Sequence, residues 1–231
     1  MTTSTTSKNN RARRALRSLA VLSFWLLVWA ILARIVGKAI LLPSPVQVLD
    51  AFAVMVRESS FWLAVASSLL RILLGYAAGC VLGVLLAALC FRFSAADALL
   101  SPLLGIIRAV PVASFIVLAL VWLGRSIIPS FISFLMVLPI LAGNVRTGLD
   151  AAPPELLEVA ALYRFGTWKK LRYLYAPSAF PHFLSASRTA LGLAWKAGIA
   201  AEVLCSLSHS IGGGINNSKL DLETDRLFAW T

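Results

Sequence analysis

Residues 150–181 read DAAPPELLEVAALYRFGTWKKLRYLYAPSAFP, from Asp150 to Pro181, and lie between two hydrophobic runs that could each cross a bilayer. The rest of the chain is mostly apolar: of 231 residues, 59% are hydrophobic and 13% charged, with a mean hydropathy of +0.85. Such a composition belongs to an all-α polytopic membrane protein. A basic, amphipathic island of this length must leave the hydrocarbon and meet something outside it. The net charge of +11 does not point to nucleic acid, because Lys and Arg gather beside apolar spans, as membrane orientation requires, and not along one soluble face.

Outward from the island, five spans are expected. Residues 1–17 form a basic tail with Lys8, Arg11, Arg13, Arg14 and Arg17. The apolar run beginning at Ser18 reaches Gly37, too long for a signal peptide, so it is expected as a retained first helix with a cytoplasmic amino terminus. Leu41-Leu42-Pro43-Ser44-Pro45 stops it, and an amphipathic stretch follows to about Trp62. The second span, about 67–91, carries Gly75, Gly79 and Gly83 at four-residue spacing, a stripe on which another backbone can pack closely. The third, about 99–123, contains Arg108 and Pro111 and is expected to kink there. After a turn at Gly124 to Pro129, the fourth span runs from Ile127 to about Val145.

The fifth span, about 180–207, contains Arg188, Lys196 and Glu202 and is less hydrophobic than the others. Lys196 lies about 12 Å deeper than Arg188 at ~1.5 Å per residue, and a charge that deep needs a partner or water. Lys196 and Glu202 are six residues apart, so they do not share a helix face. Ala190, Ala194, Ala197 and Ala201 mark a packing face. Arg108, Lys196 and Glu202 are candidates for a translocation path; structural pairing with each other or with helix carbonyls is the competing interpretation. The tail from Ser206 contains Gly212-Gly213-Gly214 without the Lys and Ser/Thr of a phosphate loop. Its last residues, Leu227 to Thr231, look like the interfacial start of another helix. Cys80, Cys90 and Cys205 sit in apolar runs without metal-ligand or disulfide spacing, and no metal site is expected.

Within the island, Pro153 and Pro154 suit the start of a helix, with Glu155 and Glu158 in its first turn, where carboxylates complement the helix dipole. Leu156, Val159, Ala160 and Tyr163 make an apolar strip. The helix should last about three turns and give way near Gly166. A second amphipathic run through Trp168, Leu171 and Leu174 then ends at Pro177. Physical chemistry alone leaves two uses open: docking a protein, or lying on lipid headgroups.

The island resembles the EAA loop of bacterial ABC importer permeases, whose pattern is Glu-Ala-Ala, three residues, Gly, nine residues, then Ile-any-Leu-Pro. Glu158 and Ala160 match, Arg164 takes the Gly position, and Leu174, Ala176 and Pro177 fall at the Ile, Leu and Pro positions. With Gly absent at 164, Gly166 is expected to supply the turn. Leu41 to Val46, Ser67 to Gly75 (SSLLRILLG), Arg108-Ala109-Val110-Pro111 and Ala201-Glu202-Val203 are similar, in order, to segments of the nitrate, sulfonate, taurine and bicarbonate-type permeases.

That resemblance implies a type I importer permease bundle over residues 18–231, with five helices where six are usual and a cytoplasmic coupling loop at about 146–178. It also implies a permease homodimer in the bacterial inner membrane, two cytoplasmic ATP-binding subunits, and an external solute-binding protein. The chain itself would be no enzyme and hold no cofactor, ATP and Mg2+ residing on the partner. On this basis Glu158, Ala160, Ala161 and Tyr163 would seat in the ATPase groove, Arg164 and Trp168 would anchor its edge, and Pro177 would set the return to the membrane. The solute would be a small anion or polar organic molecule, or a thiamine-precursor pyrimidine.

The sequence argues against two rival classes. An ion-gradient-driven secondary transporter or channel should show internal repeats with broken helices in both halves, and none is found. A membrane-embedded enzyme is disfavoured because His182 and His209 are far apart and carry no HExxH or nucleophile motif.

Overall fold

A computed structural model describes the backbone of residues 5–231 and the side chains from Leu16 onward. Residues 1–4, and the side chains of Lys8, Arg11, Arg13 and Arg14 in the expected basic tail, lie outside the described residues. All the regular structure among the described residues is helical. The chain divides into two compact units, one formed by residues 1–62 with 214–231 and the other by residues 63–213.

In the first unit, α1 (Thr5–Val36) is followed by α2 (Pro45–Met55). Between them, Ser44 caps α2, and Gln47 reaches back to accept from the Ser44 amide at 2.8 Å. Apart from Ala33, no residue of the apolar stretch Leu16–Val36 of α1 is buried within the chain, so lipid or another subunit must cover it. The tail contains α11 (Thr224–Trp230), where Phe228 stacks on Trp29 at 6.0 Å and Trp230 lies tilted against Phe61 at 5.0 Å. Arg226 pairs with Glu58 at 3.4 Å.

The second unit is built from three long helices: α3 (Ser59–Arg92), whose first residues belong to the first unit, α6 (Ile128–Asp150) and α9 (Ala176–Cys205). Between α3 and α6 lie α4 (Ser94–Ala109) and α5 (Val112–Trp122). Between α6 and α9 lie α7 (Pro154–Leu162), α8 (Thr167–Lys170) and a π-helical turn, Leu171–Tyr175. The last helix before α11 is α10 (Ile211–Leu220). The core is the seam of α3, α6 and α9, with Ile72, Val137, Leu141, Ala190 and Ala194 among its buried residues.

Small residues set how closely these helices approach. A Cβ added at Gly79 would fall 2.7 Å from the Cβ of Val137, and one at Gly83 2.7 Å from that of Leu141. At Gly75 it would collide with the Ser130 backbone. On α9, Ala190, Ala194, Ala197 and Ala201 are all buried, and the hydroxyl of Ser133 on α6 donates to the Ala194 carbonyl at 3.1 Å. α3 and α6 thus meet through missing side chains and α6 and α9 through methyl groups, which is how helices associate where no hydrophobic effect drives them together.

Among the described residues, three helices are long and apolar enough to cross a bilayer: Leu16–Val36 of α1, then α3 and α6. The pair α4 and α5 makes a fourth if it acts as one span. The fifth expected span is α9, whose 30 residues suffice in length while Arg188, Lys196 and Glu202 set it apart in composition. The third expected span differs from a kinked helix: α4 and α5 meet at 103°. The cause lies at Val110, held extended with φ −75° and ψ 133° by the proline that follows it. Pro111 then starts α5 as its N-cap.

Candidate functional site

The island folds as a short exposed helix clamped between two long ones. Pro153 is extended and Pro154 opens α7, where a missing N–H costs nothing. Along α7, Ala160 is buried. Glu158 and Ala161 are exposed, as are Leu156, Val159, Leu162 and Tyr163. The apolar strip read from the sequence therefore faces outward.

The end of α7 corrects one expectation and gives a physical account of the departure from the EAA pattern. The turn is not delayed to Gly166, which is extended with φ −66° and ψ 162° and caps α8. Arg164 itself takes the left-handed conformation, φ +49°. The Phe165 amide donates to the Ala160 carbonyl at 2.8 Å and the Arg164 amide to the Ala161 carbonyl at 3.0 Å, the paired bonds of a Schellman ending. Glycine suits that position because it has no Cβ to clash; Arg164 keeps the geometry at a steric cost of about 1–2 kcal/mol.

Pro177 also differs from expectation. It does not end a run but lies in the first turn of α9, and the helix continues from Thr167 through the π-helical turn to Cys205. A proline inside a helix removes one donor and crowds the preceding turn. A single π-helical turn immediately before it accommodates that misfit without a break. From Thr167 onward the island consequently runs into α9 without a break.

Behind α7, contacts join the island to the long helices. Tyr175 packs edge-on against Phe91 at the end of α3, 4.9 Å between ring centroids. Arg146 on α6 lies over the same Phe91 ring at 5.4 Å. It also pairs with Asp150 at 2.9 Å and with Asp97 of α4 at 3.6 Å. The ends of α3, α4, α6 and the π-helical turn are therefore fastened at one level. Trp168, on α8, is exposed.

The three charged candidates for a path have different surroundings. Glu202 is fully buried. One carboxylate oxygen accepts from the Ser68 hydroxyl at 2.7 Å and the Gly212 amide at 3.1 Å. The other faces the Arg71 guanidinium at 3.5 Å. Ser68 in turn accepts from the Ile211 amide at 2.9 Å, so Ser68 and Glu202 receive the first N–H groups of α10, where negative charge is favoured. A Cβ at Gly212 would collide with Glu202, which explains a glycine there. Arg108 donates to the Pro139 carbonyl of α6 and lies where Gly143 has no side chain, beside a cavity of about 160 Å³ at the α4–α5 break. Lys196 is exposed on α9, with no ion pair among the described residues. The structure thus brings Glu202 together with Arg71 and Ser68, which sequence reasoning had not singled out, and not with Arg108 or Lys196. An arginine at the fourth place of a serine-containing helical turn was the available signal.

A small-residue helix seam and an exposed short helix between two long ones define a multi-pass membrane protein with a short helix outside its spans. The family follows from comparison. Residues 79–229 match the model of the binding-protein-dependent transport system inner membrane component, and the chain belongs to that family. It is 29% identical to a formylaminopyrimidine transport permease protein of Halalkalibacterium halodurans, over 80% of this chain and 74% of that one. It is 26% identical to a nitrate import permease protein of Synechocystis, over 83% and 72%. With a taurine transport system permease protein of Escherichia coli, identity is 23% over 94% and 82%. The protein is accordingly an ABC transporter permease of the inner membrane.

Proposed function

We propose that this chain forms the solute pathway of an ATP-driven importer and couples it to cytoplasmic ATP-binding subunits through α7. The observation that carries this is the exposed face of α7, where Leu156, Val159, Leu162 and Tyr163 stand out on a helix of nine residues. Apolar exposure on an element rimmed by charge marks a protein contact. A helix laid into a partner's groove by its apolar face is a common mode of docking. Glu158, Ala161 and Tyr163 seat it, Ala160 is turned inward and holds the helix against its own chain, and Arg164, Gly166, Trp168 and Pro177 shape its far end.

Coupling follows from the rigid connections. Closure of the ATPases on bound ATP and Mg2+ displaces α7, and the continuous helix from Thr167 to Cys205 carries that displacement into the bundle, exchanging outward and inward access. The amino terminus is then cytoplasmic, in line with the basic residues on that side. Lys196, exposed on a helix that would cross the bilayer, calls for cover from water or a second subunit. A homodimer supplies both, lining a path with Lys196. An external binding protein delivers the solute. The relatives' names point to a small anion or polar organic solute such as nitrate or taurine, or to a pyrimidine.

Co-purification tests the docking. Glu158→Arg is expected to abolish recovery of the ATP-binding subunit with the tagged permease while the permease stays in the membrane. Undiminished recovery would remove α7 from the interface.

A further inference from the structure

The inner side of the coupling segment holds a groove that the docking face does not use. One part, about 330 Å³, lies between the end of α3, α6 and the α8 region, and is lined by Phe91, Arg92, Phe165, Thr167, Lys170 and Tyr175. Ala88, Leu149 and Leu171 also line it, and the same three residues line a second part of about 220 Å³. That second part runs on toward Val84, Val145, Ala179, Phe180 and Phe183, so the two are one groove. Its chemistry changes along its length. No residue at the far end carries a polar side chain, whereas the near end has two cations and a ring of aromatics.

The two cations are available. Neither Arg92 nor Lys170 has an ion pair among the described residues. Asp97, in the first turn of α4, and Asp150, at the end of α6, both pair with Arg146. Arg92 is exposed and Lys170 half-buried. They project from different elements, the end of α3 and the end of α8, onto a single opening. Phe180, which lines the apolar end, is 57% exposed, so the groove opens sideways toward the hydrocarbon.

We propose that this groove binds one anionic phospholipid, with its phosphate between Arg92 and Lys170 and one acyl chain laid along Ala88, Leu149 and Leu171 toward Phe183. A free inorganic anion would use the cations and leave the apolar end unexplained. A peptide would bring backbone N–H and C=O groups to walls that offer them no partners. A phospholipid matches both ends, and basic pockets between spanning helices are suited to anionic headgroups. Because the groove is walled by α3, α6 and the helix leading into α9, an occupant would wedge between the coupling segment and the bundle it moves. The lipid would then set how stiffly one follows the other.

Native mass spectrometry of the detergent-purified full chain, titrated with phosphatidylglycerol or phosphatidylcholine, reads this directly. One phosphatidylglycerol per chain is expected, retained about tenfold more tightly than phosphatidylcholine. Arg92→Gln combined with Lys170→Gln should erase that preference, and both changes lie near the surface, where folding tolerates them. Arg172→Gln, whose side chain does not line the groove, should leave it intact. Ala88→Trp, which fills the narrow middle, should weaken both lipids. The proposal is overturned if the double variant keeps the preference or if Arg172→Gln loses it equally, the mark of diffuse surface charge. It is also overturned if millimolar inorganic phosphate displaces the lipid, or if a co-purifying peptide occupies the groove.

Discussion

The Phe165 amide reaches the Ala160 carbonyl at 2.8 Å only because the residue between their turns, Arg164, is left-handed. The family pattern has glycine there, and this chain keeps the hydrogen bonds while carrying a side chain.

Arg164→Gly should therefore stabilise the end of α7. Relief of about 1–2 kcal/mol of steric cost is partly offset by the larger entropy of an unfolded glycine, leaving a net gain of about 0.5–1 kcal/mol. Arg164→Val, β-branched in the same conformation, should lose stability. Thermal unfolding of the purified permease checks both. If Arg164 also anchors the ATPase edge, Arg164→Gly will raise the unfolding temperature yet weaken ATPase recovery, a split that backbone geometry alone does not produce.

Much of this was legible because the signals were local. Glycine and alanine spacing marked the helix seam, and Pro153 and Pro154 marked the start of α7. What was misread depended on neighbours. Gly166 looked like the turn residue because glycine is the default for positive φ; the hydrogen bonds back to Ala160 and Ala161, which one residue type does not reveal, put the turn at Arg164. Pro177 looked like a stop, and the π-helical turn that absorbs it has no simple sequence signature. Arg71 and Glu202 lie on different helices, 131 positions apart by their numbers, so no periodicity could pair them. The ring partners of Phe228 and Trp230, Trp29 and Phe61, are farther away still in sequence.

The buried Glu202 gives a sharp prediction. Glu202→Ala removes the acceptor of Ser68 and of the Gly212 amide and leaves Arg71 unpaired. Losing one partner of a buried ion pair costs about 3–5 kcal/mol. Combining it with Arg71→Met should recover part of that loss, since the uncompensated charge goes with it. Denaturation of the two single variants and the double variant measures the coupling.

Gly79 tests the seam of α3 and α6. With a Cβ at 2.7 Å from Val137 Cβ, Gly79→Val must push the helices apart, a loss of about 1–3 kcal/mol or more. Gly105 on α4 has nothing within 4 Å of an added Cβ, so Gly105→Ala should be neutral or better by up to about 1 kcal/mol from helix propensity. Membrane yield and thermal unfolding of the pair distinguish close packing from a general intolerance of larger residues.

Arg108 and Lys196 were read alike in the sequence and are set apart by their contacts. Arg108 is engaged with the Pro139 carbonyl in the notch left by Gly143, so Arg108→Met should lower stability and, through loosening of the α4–α5 break, reduce uptake with little change in solute affinity. Lys196 is exposed and without an ion pair among the described residues. Lys196→Met should leave the fold of the protomer unchanged or slightly more stable, because an exposed charge on a membrane helix is removed. If Lys196 lines the path, the same variant will raise the solute concentration for half-maximal uptake several-fold in vesicles supplied with ATP and binding protein, and Lys196→Arg will restore part of it by keeping the charge. Unaltered affinity and rate in Lys196→Met would remove it from the path.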